Sequence, residues 1–365
     1  MSADSQEYLP PCCVRAAEAD FRARYPLEPD ADQDWLRSHL LMLAQKWGAI
    51  TEASTRGAYF RSVPRQDFFD AQTYLIACPN GHAARIVLLG SRVYYLAWRL
   101  NLICSTYWTT SNESSDLISI TGDQEWPLDA HLDQLQTAVD VYMDDAFLSN
   151  EGFEDLKRFV AEGQPQAGLN QMYIGEFALL FLFLHEMNHA LADTLEAHES
   201  MQFKVVSETP GLSEKRRKRW SEELSHDANA AFMNWLSAVT VFQEKFGMEL
   251  EDAKWQAGSL AYTGADLALH TLQFVEEARF GKVAAQEAAL MREFRLHPPS
   301  QERRDKLSLT AFRAVTGKPL EDLWKRRGGP AWAEVARNVG SQMRIRDRLL
   351  TAHFARHAPD EGNDS

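Results

Sequence analysis

Apolar residues recur along this chain with two different periods. Between residues 57 and 121 they fall in short β-branched and aromatic runs, at 58–60, 73–76, 86–89, 103–108 and 117–120, several of them divided by turn residues such as Pro79-Asn80-Gly81 and Gly90-Ser91. Such runs predict a small sheet. Residues 93–102 fit helix or strand equally, because their apolar positions follow neither period cleanly. Elsewhere the spacing of three to four residues predicts helices over 31–47, 172–194, 214–244, 252–278, 283–294, 300–316 and 330–356. Gly317 suits a helix C-terminus. Residues 109–129 and 161–170 read as loops, and no internal repeat is visible. The expected architecture is α+β and mostly α: an N-terminal α/β region over 1–130 with a small sheet, a helical core over 131–358, and a polar, disordered tail over 359–365.

One helical segment carries chemistry. Within the apolar stretch from Ile174 to Leu195 lies His185-Glu186-Met187-Asn188-His189. Residues four apart share a helix face, so the two imidazoles can reach one ion. The glutamate beside the first histidine then lies close enough to take a proton from a water activated there. The bland alternative is a pair of core histidines, which leaves the intervening glutamate unexplained.

A third ligand is expected downstream. Trp220, Leu224, Ala228, Ala231, Trp235, Val239 and Phe242 trace one apolar stripe. At about 100° per residue, Glu223 and Asp227 fall on its edge, while Glu222 and His226 fall on the solvent side. Two carboxylates turned toward a core need a compensating charge. Zinc with its histidines supplies one, so Glu223 is expected as the third ligand and Asp227 as acceptor of a ligand histidine's free ring N–H. A third element, His297-Pro298-Pro299-Ser300 followed by Arg303, stops one helix and caps the next. His297 or Arg303 is expected to stabilise an oxyanion. For this segment alone a plain helix–helix turn is the competing reading.

In this order the three elements resemble the gluzincin peptidases, and within them the pattern of the CaaX-prenyl endopeptidase and HtpX heat-shock protease family. The resemblance covers roughly residues 172–310. It implies a zincin-like helical core, zinc held by His185, His189 and Glu223, Glu186 as catalytic base, a supporting Asp227, and substrate or transition-state contacts at His297 and Arg303. Members of that family typically span membranes, and His226 stands where they usually carry a small residue. A soluble branch fits better, similar to the phage-exclusion Lit-type peptidases, which implies a regulated intracellular protease in antiviral defence.

Composition narrows this further. The 365 residues carry 52 acidic against 38 basic side chains, a net charge of −14 that disfavours nucleic acid as a partner. The basic run from Lys215 to Arg219 reads as a solvated helix face. The four cysteines include no CxxC pair and fit a reducing compartment. The N-terminus reads as no secretory signal. The longest strongly apolar run, 177–184, falls far short of the ~20 residues of a membrane span. The expectation is therefore a cytoplasmic zinc endopeptidase acting on a protein or peptide substrate, kept latent by the loop at 109–129 or by an activating or inhibiting protein partner. The alternative is a non-catalytic zinc-stabilised binding or regulatory module, with His226 or His198 as fourth ligand. A metal-free helical scaffold is the remaining rival.

Overall fold

A computed structural model describes residues 9–24, 34–49, 58–63, 71–79, 81, 83–109, 128–143, 169–195, 214–280, 298–300, 302–307 and 346–356. They are mostly helical, with one small sheet in the N-terminal part. In chain order the elements are α1 (Pro11–Arg24), α2 (Asp34–Lys46), β1 (Ala58–Val63), β2 (Ala71–Ala77), β3 (Ala83–Gly90), α3 (Ser91–Thr109), α4 (Leu128–Met143), α5 (Leu169–Leu195), α6 (Glu214–Phe246) and α7 (Leu250–Phe280). Further helical turns follow at 302–307 and 346–356.

The sheet has the order β1-β3-β2. β2 and β3 run antiparallel, with Tyr74 opposite Ile86, and β1 runs parallel to β3, with Tyr59 opposite the same Ile86. Gly81, at φ 78°, closes the connection between β2 and β3, a conformation that a side chain would strain. β3 is central and fully covered: Ile86, Val87, Leu88 and Leu89 are each 0% exposed. That explains its run of consecutive apolar residues, since both faces are buried. On one face Ile86 and Leu88 meet Cys13, Ala17 and Phe21 of α1. On the other, Val87 and Leu89 join a single larger core that runs through α2, α3 and α4 to α5, α6, α7 and the helix at 346–356.

Cys13 and Cys78 are disulfide-bonded, with Cα atoms 5.1 Å apart, tying α1 to the end of β2. The sequence reading contained no such pairing. A low cysteine count does not register that the fold brings together two cysteines 65 residues apart. Two further departures concern helices. Residues 103–108, expected as a strand, belong to α3, whose Val93, Tyr94, Leu96, Ala97, Leu100 and Ile103 are all buried. A helix covered on most sides loses the polar stripe that would reveal its period. α1 and α4 were not foreseen; α4 begins inside the stretch expected as a loop. The expectations at 117–120, 161–168, 283–294, 308–316, Gly317, 330–345 and 359–365 lie outside the described residues.

Three long helices form the centre. α6 turns into α7 through Gly247, at φ 63°, whose N–H bonds to Gln243 O at 3.1 Å while Met248 N bonds to Phe242 O at 3.3 Å. This is a left-handed helix cap that satisfies the last carbonyls. α7 lies so close to α5 that a Cβ on Gly264 would stand 2.6 Å from Phe177 Cβ and 2.8 Å from Ala178 N. On the same stretch of α5, Trp47 at the close of α2 packs on Phe177, with ring centroids 4.5 Å apart, and its indole N–H donates to Glu176 at 2.7 Å. α5 is thereby held by both α7 and the end of α2. Among the described residues, no helix is long and apolar enough to cross a membrane.

Candidate metal centre

The C-terminal half of α5 leads from the apolar run 177–184, every residue of which is buried, directly into His185. The helix keeps its register, so His185 and His189 stand one turn apart on the face toward α6. From α6, Glu223 enters between them. The donor atoms form a nearly regular triangle: His185 Nε2 to His189 Nε2 is 3.1 Å, and each lies 3.4 Å from Glu223 Oε2. Nitrogen and oxygen ligands at ~2.0–2.2 Å from a tetrahedral zinc stand about 3.3–3.5 Å from one another. The triangle therefore has the dimensions of one tetrahedron face, and these three residues can together hold a metal ion.

Burial is uneven around the triangle. His185 and Glu223 side chains are each 5% exposed, whereas His189 is 23% exposed. The centre opens to solvent at the His189 edge. Glu186, 6% exposed, has its Oε1 3.8 Å from His185 Nε2. With His185 and Arg303 it borders a small cavity walled by Val93, Tyr94, Leu182 and Leu272. A carboxylate beside the donor triangle and against an apolar cavity suits a proton acceptor.

Behind the triangle, Asp227 Oδ1 lies 2.9 Å from His185 Nδ1. An ionised carboxylate only accepts, so Asp227 favours a proton on Nδ1, which turns Nε2 toward the triangle. Burial pulls the His185 pKa down, but Asp227 outweighs it and lifts it to about 10. Proton and metal compete for that ring. For Asp227, burial pushes the carboxyl up, yet Arg303 outweighs it and holds the group well below the usual range.

Arg303 is where the structure adds most to the sequence reading. Its Nε donates to Asp227 Oδ2 at 2.8 Å and its Nη2 to Oδ1 at 2.7 Å, a buried two-pronged clamp. Expected near an oxyanion, the guanidinium commits two donors to the carboxylate beside His185 and also borders the cavity that Glu186 lines. His297 and His198 lie outside the described residues.

His226 departs from the expected solvent side. It is half-buried, its Nδ1 is 3.3 Å from His189 Nε2, and Asn188 Nδ2 donates to its carbonyl at 3.3 Å. A residue three beyond Glu223 lies only about 60° around the helix from it, and that neighbour relation carries more weight here than distance from the apolar stripe. Burial, then His189 and His185, pull its pKa down to about 3. Glu222 is exposed, as expected.

Comparison with protein-family models, with curated proteins and with solved structures finds no match to this chain.

Proposed function

We propose that this chain is a zinc-dependent endopeptidase. The observation that carries the reading is the 3.1, 3.4 and 3.4 Å triangle of His185, His189 and Glu223 donors, with Glu186 beside it. Support for zinc over a harder cation comes from the donor set, since two imidazoles and one carboxylate match known catalytic zinc sites that keep a position open. The exposed edge at His189 gives a substrate somewhere to enter.

When bound, zinc supplies Lewis acidity toward a carbonyl oxygen. The chain's own residues do the rest. His185 and His189 hold the ion from one helix, and Glu223 holds it from the next. Asp227 keeps His185 in the tautomer that presents Nε2. Glu186 takes the proton from the attacking water and delivers it to the departing amine. The helical core is read as zincin-like, in keeping with the gluzincin pattern of the three motifs. A protein substrate and a role in regulated intracellular proteolysis, such as phage defence, belong to the same proposal.

Glu186→Gln tests the role of the base. Cleavage of a protein substrate should fall by about 10²–10⁴-fold, with zinc content unchanged. Retained cleavage would remove Glu186 from the mechanism.

A second reading rests on His226, whose Nδ1 lies within 3.3 Å of His189 Nε2. Were it to swing in as a fourth ligand, the site would be closed and the zinc would staple α5 to α6 in a non-catalytic module. In that case the wild type binds zinc and cleaves nothing.

A further inference from the structure

A second buried cluster of charged groups lies beyond the metal centre. Asp266 and His270, one turn apart on α7, are 3% and 0% exposed. Arg346, 0% exposed, donates from Nη2 to Asp266 Oδ2 at 2.6 Å. Arg304 Nε donates to Asp266 Oδ1 at 3.1 Å and its Nη2 to Asp347 Oδ1 at 3.3 Å. His270 bridges the two acids, with Nδ1 3.0 Å from Asp266 Oδ2 and Nε2 2.8 Å from Asp347 Oδ1. The cluster thus joins α7, the turn at 302–307 and the helix at 346–356.

The connection to the metal centre is covalent. Arg304 follows Arg303 directly, and the two side chains reach in different directions: Arg303 to Asp227 on α6, Arg304 to Asp266 on α7. The start of the same short helix is tied to α7 a second time, because Ser300 Oγ and N donate to Glu276 at 2.9 and 3.2 Å. A guanidinium that must meet both oxygens of a buried carboxylate needs its backbone fixed. The helix at 302–307 is too short to fix itself.

We infer that Arg304, with Asp266, Arg346 and Asp347, is a positioning unit for the metal centre: it anchors the turn that presents Arg303 to Asp227, and so sets how well His185 binds metal. The inference rests on the zinc reading of the site. Removing a partner that orients a metal ligand typically lowers affinity about 10–100-fold. Arg304 acts one link further back, so a loss of about tenfold is expected.

The test is zinc affinity, measured by competition with a chromophoric chelator on the full chain, for wild type, Arg304→Met, Arg304→Lys and Leu349→Ala. Leu349 is 0% exposed in the same 346–356 helix and belongs to the apolar core, not to the charged cluster. Its variant reports simple destabilisation. Arg304→Met should bind zinc about tenfold more weakly, Arg304→Lys should recover part of the loss, and Leu349→Ala should bind as wild type. Equal affinity in Arg304→Met and wild type overturns the inference, as does an equal loss in Leu349→Ala. Should Arg304→Met not fold, Asp347→Asn at the half-exposed rim of the cluster takes its place, with a loss of about threefold expected and no loss overturning the inference. A wild type that binds no zinc removes the metal centre itself, which is a different result.

Discussion

At the scale of single residues, the molecule buries Asp227 and Asp266 and sets cations against both. Asp227 has Arg303 and His185; Asp266 has Arg346, Arg304 and His270. Removing one partner of such a set leaves the others charged and buried, a loss of about 3–5 kcal/mol. Asp266→Asn should therefore unfold at markedly lower urea than wild type at pH 7. The pH dependence has a definite sign. Burial raises the Asp266 pKa, but His270, Arg346 and Arg304 together bring it below its ordinary 3.8. A depressed carboxylate contributes stability that is complete above the unfolded pKa and is lost as pH falls through it toward the folded value. The gap between wild type and Asp266→Asn should narrow by about 1 kcal/mol between pH 7 and pH 3. A gap of the same size at both pH values contradicts the assignment.

At the scale of elements, the approach of α5 and α7 fixes where the metal ligands stand. Gly264 lets the two backbones meet, with Ile174 O only 2.9 Å from where a Cβ would lie. Gly264→Ala would normally favour a helix by about 0.5–1 kcal/mol. Here overpacking against α5 backbone should win, with a net loss of about 1–3 kcal/mol in urea unfolding. An unchanged or raised stability contradicts this close packing. The same scale shows what the sequence could reveal. Its apolar periods located α5, α6 and α7 to within a few residues, and alternation with turn residues located the strands. They failed at α3, which is buried too uniformly to display a period, and at α1, a short and weakly apolar helix that starts at Pro11. The clustering of His185, His189 and Glu223 was legible because helix geometry ties spacing to facing. The pairing of Arg303 with Asp227 spans 76 residues, and the cluster around Asp266 joins residues 80 apart. No local pattern encodes such contacts. His226 was misplaced because its helix face was judged from the apolar stripe rather than from Glu223 three residues before it.

At the scale of the whole molecule, among the described residues one continuous core joins α2, one face of β3, α3 to α7 and the helix at 346–356, and the candidate centre sits where α5 meets α6. The sheet holds one side of α5 through contacts such as Phe60 to Phe183, with ring centroids 5.5 Å apart. The charged cluster ties the far end of the chain to the other side. Among the described residues, the donor triangle is thus held by elements from both the N-terminal and the C-terminal parts. The central claim is that this triangle binds zinc, and metal content by mass spectrometry on wild type and Glu223→Ala, purified side by side, tests it most directly. The account predicts about one zinc per wild-type chain, the one open site of a catalytic centre, with most of it lost in the variant. A wild type that holds no zinc after the metal is supplied and the excess removed would contradict it.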